Sequence, residues 1–315
     1  MDNCLLIGNG LNQCLEGGIP WGNLLKDIAE ERAVNYCPDI SMPLEFERIV
    51  NNCLKKEKKP TDELYLEIKK AVSQKIVSAK IAEGAPHKQL INLPIQAIIT
   101  TNYDMLLEQV FDKNYVPEII PGGTKYLTKE TTTIRNVKFY HPHGISTRPN
   151  TICLGYEHYI GITQNLRYEI NTVKQSDRKK SIYSILAGNA EPNNTWGERF
   201  YRSNIGIVGL GLYECEVDLW WLLTHRASLY YSNYEGIRDL LKNRIVYYSV
   251  VDDIKKHNKL TEKQRLFEIK AQKDKHQLLE GEHVTVKEYP LSENDNSYES
   301  AYLHIFEDIK ENGIN

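Results

Sequence analysis

The feature that most constrains this chain is a series of short apolar runs, most of which do not alternate with polar residues. They are Cys4–Ile7, Ile95–Thr100, Val137–His141, "NIGIVGLGL" from Asn204, Ile245–Val251 and Val284–Tyr289. A strand with one wet face alternates apolar and polar side chains, so an unbroken run marks a strand covered on both faces. Between the runs the spacing turns helical: about Asn23–Ala33, Asp104–Phe111, "EVDLWWLLTHRA", Glu262–Leu279 and about Tyr298–Ile309. Thr261 stands where the helix from Glu262 needs its N-cap, and Gly281 lies just past its expected end. Strands alternating with helices specify an α/β fold, here a parallel sheet of about six strands with helices on both faces.

Two stretches break the alternation and read as helical insertions, at about 36–90 and about 155–200, within a single domain spanning residues 1–315. In the first, Leu64, Ile68, Val72, Ile76 and Ala79 recur at spacings of three and four, a helical stripe. The second is rich in Tyr, Asn, Lys and Arg, with a loop at "GNAEPNNTWG".

The bulk numbers exclude several classes. With 41% hydrophobic and 26% charged residues the chain has a soluble globular composition. A net charge of -3 gives no global basic field for nucleic acid. The longest apolar run, "IGIVGLGL", has eight residues and is too short to span a bilayer. No two of the six cysteines form C-x-x-C, so the spacing gives neither a zinc nor a redox signature, and a reducing, cytoplasmic setting is expected. "MDNCLLIGNG" lacks the basic region of a signal peptide.

In open parallel sheets, ligands bind outside the carboxyl ends of the strands. Here those ends read "GNGLNQ", "TTNYD", "HPHG" and "GLGLYE". The first carries only G-x-G, with Gln13 where a dinucleotide fingerprint has its third glycine and no acid at the end of a clear second strand. This disfavours hydride transfer and leaves a phosphate loop and a plain tight turn both open. In "GGIPWG", Pro20 fixes a backbone angle, and Trp21 is either a ligand cover or loop packing. Asn102 offers two donors and an acceptor without ionising, which suits orienting a sugar hydroxyl or a water, while Asn102 or Asp104 could instead cap the following helix. His143 lies beside a glycine, and an imidazole's ordinary pKa of ~6.5 suits general-base work. His141 is two residues earlier; two nearby histidines hint at a metal, but no further ligand set accompanies them. Gly209 and Gly211 allow close ligand approach, and Glu214 or Asp218 is placed to cap a helix or touch a ribose.

In this order, "IGNGLNQ…GGIPW", "ITTNYD", "HPHG" and "GLGLYECEVDLWWLL" resemble the sirtuin superfamily, and more closely the sirtuin-like NAD+-consuming enzymes of bacterial antiphage defence. The resemblance spans roughly residues 4–223 and implies a Rossmann-like fold. It implies that Asn102 and His143 are the catalytic pair, with Asp104 ordering their loop. The dinucleotide would then be held by Gly8, Asn9, Gly10 and Leu11, by Pro20 and Trp21, by Thr100 and Thr101, and by Gly209 and Gly211. Deacylating sirtuins carry a four-cysteine zinc module between the catalytic His and the later glycine turn, where this chain has only Cys153, so no metal is expected. Their G-I-P-D-F-R loop reads "GIPWGN" here, which weakens a deacylase assignment. The implied reaction splits NAD+ into nicotinamide and ADP-ribose. A protein deacylase, an ADP-ribosyltransferase or a non-enzymatic NAD+ or ADP-ribose sensor are its rivals. Because NAD+ loss harms the host, restraint by self-assembly or by a separate sensor or activator protein is expected, with no membrane or nucleic-acid partner.

Overall fold

The structure is a computed structural model that describes residues 1–116, 125–171, 181–232, 236–251, 261–291 and 297–315. In chain order its elements are β1 (Asp2–Ile7), α1 (Gly10–Gln13), α2 (Trp21–Glu31), α3 (Met42–Glu57), α4 (Thr61–Ser78), α5 (Ala85–Gln89), β2 (Ala97–Thr100), α6 (Leu106–Phe111), β3 (Thr132–Ile134), β4 (Val137–Tyr140), α7 (Tyr156–Asn171), α8 (Ile182–Leu186), α9 (Trp196–Arg202), β5 (Ser203–Val208), α10 (Val217–Ser232), α11 (Ile237–Leu240), β6 (Ile245–Val251), α12 (Glu262–Gly281), β7 (Thr285–Pro290) and α13 (Tyr298–Asn312).

The strands form one seven-stranded sheet in the order β3-β4-β2-β1-β5-β6-β7. Every pair is parallel except β3 with β4. This is the expected Rossmann-like α/β sheet with one strand more than predicted. The added strand β3 is joined to β4 by Arg135 and Asn136, both left-handed at φ 50° and 66°. A two-residue turn with both φ positive matches the twist of a hairpin but is usually written Asn-Gly or Asp-Gly, so this pair gave no signal.

Both faces are covered, as the unbroken runs require. Along β1, Cys4 and Leu6 join a core with Ile99, Ile205 and Ile207 under Trp196, Leu219 and Leu222. Leu5 and Ile7 join the opposite core with Ile98, Phe139 and Val208 against Phe111, Ile305 and Phe306 of α6 and α13. Each such fully buried side chain contributes about 1.5–3 kcal/mol of transfer free energy.

In the first insertion, α3 and α4 pack with α2 around Phe46, Ile49, Ile68 and Val72. Tyr103 and Ile152, from the loops after β2 and β4, belong to that same cluster, so the insertion presses on the strand ends. In the second, α7, α8 and α9 are helical as expected, and 172–180 lie outside the described residues. One boundary is corrected. Gly281 is the last residue of α12 rather than the residue beyond it, and the left-handed position after the helix belongs to His283 at φ 57°.

From β1 the chain goes to β2 on one side and later to β5 on the other. Such a reversal opens a crevice between the two outgoing loops. The glycine turns after β1 and β5 flank it.

Candidate functional site

The two glycine turns are fastened to each other. Gly8 N–H donates to the Val208 carbonyl at 3.0 Å and Gly10 N–H to the Gly209 carbonyl at 2.7 Å. A Cβ on Gly8 would lie 2.5 Å from the Gly209 oxygen, and one on Gly10 2.7 Å from it. Gly209 is left-handed, with φ +63°. The contact between the turns therefore already demands these glycines, a reason absent from the sequence reading, which left a phosphate loop and a plain tight turn both open. Leu11 is fully buried in the sheet's core. Asn9 Nδ2 donates to the Ile19 carbonyl at 2.9 Å, tying the turn after β1 to the "GGIPWG" loop.

A cavity of about 1320 Å³ opens at this end of the sheet. That exceeds the 300–1,000 Å³ typical of small-molecule sites. Asn9, Gly10, Trp21, Thr101, His143, Gly209 and Gly211 line it, whereas Gly8, Leu11, Pro20, Thr100, Asn102 and Asp104 do not. Pro20 is exposed and its carbonyl accepts the Asn23 and Leu24 N–H groups at the start of α2. Trp21 packs on Tyr103 with ring centroids 4.6 Å apart.

At the end of β2, the Thr100 hydroxyl donates to the Ile7 carbonyl at 2.9 Å and accepts the Asn102 N–H at 3.1 Å. Asn102 is 1% exposed, yet among the described residues neither Oδ1 nor Nδ2 of its amide has a hydrogen-bond partner. A buried amide with no partner is costly and rare, and invites a functional explanation. Its neighbours Thr101 and Tyr103 face the cavity, and the Tyr103 hydroxyl donates to the Cys153 carbonyl. Asp104 is an anchor. Its Oδ1 accepts the Leu106 N–H at 3.0 Å and its Oδ2 the Asn12 amide at 2.9 Å, while Asn12 Oδ1 accepts from His87 at 3.0 Å.

The two histidines of "HPHG" take different partners. His143 Nε2 lies 3.0 Å from Asp218 Oδ2, both groups buried, which leaves Nδ1 as the ring nitrogen open to a ligand. Burial alone would strip the imidazole of its proton, but the Asp218 carboxylate holds its pKa above the ordinary histidine value. Tyr159 packs edge-on against the ring at 5.1 Å. Glu216, two residues before Asp218, also lines the cavity. Burial pushes its carboxyl up to about 7, with His143 and the Tyr213 N–H pulling the other way.

His141 faces away from the cavity. Its Nδ1 donates to the Asn102 carbonyl at 3.0 Å and its Nε2 meets Glu108 Oε1 at 2.7 Å, with both side chains fully buried. Burial opposes a charge on this ring too, yet Glu108 outweighs it and raises the pKa. Asn102 is thus gripped by its backbone on both sides while its amide is left unpaired. Sequence reasoning weighed Asp218 only as a cap or ribose contact and did not single out Glu108 or Glu216. A glutamate enclosed by Leu106, Leu107 and Val110 was the available signal for Glu108.

Among the described residues, no group of three or more His, Cys, Asp or Glu is placed to hold a metal ion, and no helix is long and apolar enough to cross a membrane.

Residues 96–190 match the family model of the SIR2-like domain. The matched stretch includes Asn102, Asp104, His141 and His143, but neither glycine turn nor Asp218. It is consistent with the NAD+-related chemistry that the sirtuin resemblance implies. No curated protein matches the chain.

Proposed function

We propose that the protein is an NAD+ glycohydrolase that releases nicotinamide and ADP-ribose. The observation that carries this reading is an Asp-backed imidazole at His143 in the cavity wall, with a non-ionising amide left without a partner among the described residues at Asn102, in the loop whose Thr101 and Tyr103 also line that cavity. Cleavage breaks the bond between the ribose C1′ and the nicotinamide nitrogen, and the electron pair leaves with the neutral pyridine. Positive charge develops on the ribose, and the nearby Asp218 and Glu216 suit it. Water then bonds to C1′, and its proton passes to His143 Nδ1, where Asp218 stabilises the imidazolium. The Asn102 amide orients the ribose hydroxyls and that water.

In the resting chain Asn102 is buried and does not line the cavity, whereas its neighbours Thr101 and Tyr103 do. Turnover therefore needs the 101–103 loop to shift, which supplies the restraint that a consumer of NAD+ requires. The insertion helices that pack on Tyr103 are the natural route for a second copy or an activator protein to move it. On the strength of the sirtuin resemblance, we assign the activity to antiphage defence through NAD+ depletion.

The test is nicotinamide release from NAD+ by the purified protein, with and without candidate activators, beside His143→Ala. Activity in the parent that falls by about 10²–10⁴-fold in the folded variant is expected. Transfer of ADP-ribose or removal of an acyl group from an acyl-lysine peptide, in place of hydrolysis, would replace this reading with one of its rivals.

A further inference from the structure

The cavity has a second polar end, built by β6 and α12. Lys275 lines it and is the only lysine or arginine among the described residues to do so. Its ammonium is held in place: it donates to the Gly211 carbonyl and, at 3.1 Å, to the Tyr247 hydroxyl. That hydroxyl in turn donates to the Leu210 carbonyl at 3.0 Å. The lysine is thus fixed to the backbone of the glycine turn after β5, whose Gly209 and Gly211 line the cavity. An ammonium has three N–H groups, and these bonds use two, so one remains for a ligand. The acids around it do not silence it. Glu268, Asp274 and Glu214 are exposed and screened by solvent, and the buried Glu216 is held partly neutral. Glu216, which also lines the cavity, feels the charges of both His143 and Lys275.

We propose that Lys275 binds the pyrophosphate of the substrate and makes the site select dinucleotides over nucleosides. The acidic end, at Glu216 beside the Asp218-backed His143, then faces the ribose that becomes cationic, and the basic end faces the anionic link. This polarity sets the direction in which the dinucleotide lies. The inference rests on the dinucleotide reading above.

The experiment measures binding of ADP-ribose and of adenosine, which lacks the pyrophosphate, by calorimetry. It compares the parent chain with Lys275→Met and Lys275→Arg, and thermal melts confirm folding. Loss of one charge-assisted contact should weaken ADP-ribose binding by about 10–100-fold in Lys275→Met. Adenosine binding should be unchanged, and Lys275→Arg should recover most of the loss. ADP-ribose affinity within about threefold of the parent in a folded Lys275→Met would overturn the assignment while leaving the dinucleotide reading in place. Equal loss of adenosine and ADP-ribose would make Lys275 a structural prop for the glycine turn, which also overturns it. A folded parent that binds neither ADP-ribose nor NAD+ would sink the dinucleotide reading itself.

Discussion

Replacing Asn102 with alanine should make the protein more stable while abolishing turnover. The amide is buried, and among the described residues neither Oδ1 nor Nδ2 has a partner. Each unsatisfied buried group costs about 1–3 kcal/mol, so removing two relieves about 2–6 kcal/mol. Against this stands the space vacated, roughly 30 Å³, which at about 24 cal/mol per Å³ costs about 0.7 kcal/mol. Lost dispersion contacts take about 1 kcal/mol more. The backbone grip survives, because the Thr100 and His141 contacts use the Asn102 N–H and carbonyl. A net gain of about 0.3–4 kcal/mol remains. With an unfolding entropy of about 2.1 cal/mol/K per residue, that is a rise of about 0.5–6 °C in Tm. The assay is a urea melt of parent and Asn102→Ala, with nicotinamide release followed on the same samples. A variant less stable than the parent by about 1 kcal/mol or more would show that the resting amide is in fact satisfied, and the inference from its isolation would fail. A stable variant that keeps near-normal turnover would remove Asn102 from the chemistry.

Further expectations test the surrounding groups. Asp218→Asn keeps the size of the side chain but cannot stabilise a charged His143; turnover should fall at least about tenfold, and the double variant with His143→Ala should be little worse than His143→Ala alone, since groups acting as a unit are not additive. His141→Ala strands the fully buried Glu108 carboxylate and should cost about 3–5 kcal/mol in a denaturant melt, with Glu108→Leu in the same chain recovering part of it. His87 is buried and its pKa is pressed down to about 4. The unfolded chain therefore binds the extra proton between about pH 4 and 6.5, and stability falls as pH drops through that window. Compared with His87→Gln, the parent should lose about 2 kcal/mol between pH 7 and 5 in paired melts; parallel curves would refute the shift. Chelation should leave both the melt and NAD+ cleavage unchanged, and zinc lost together with the fold would reverse that expectation.

The sheet was legible mainly through its inner strands, which are apolar on both faces, so runs such as Leu5–Ile7 and Ile205–Val208 could be read without knowing their neighbours. Strand β3 was not, since its residues are half-buried or exposed and its turn is Arg-Asn. Candidate residues could be picked out where they directly follow a strand, as Asn102 and His143 do. What escaped the sequence were pairings across the fold. His141 with Glu108 and His143 with Asp218 are 33 and 75 residues apart, and no local pattern reports them. The glycines of the first turn were noticed for a sound reason, the need for close approach, but part of that approach is to a second turn of the same chain.

The position of β1 between β2 and β5 has a consequence for biosynthesis. Its register partners begin at Ala97 on one side and at Ser203 on the other. At about 5–20 residues per second, a ribosome reaches β5 about 10–40 s after it has made β1. For that time the strand Cys4–Ile7, destined to be wholly enclosed, is emerged and half-paired at best. The two glycine turns cannot meet until the wait is over, so the crevice is among the last features to form. A nascent chain truncated before residue 203 should therefore be a client of chaperones with no ligand site, and a pulse-labelled full-length chain should acquire protease resistance only after synthesis of β5.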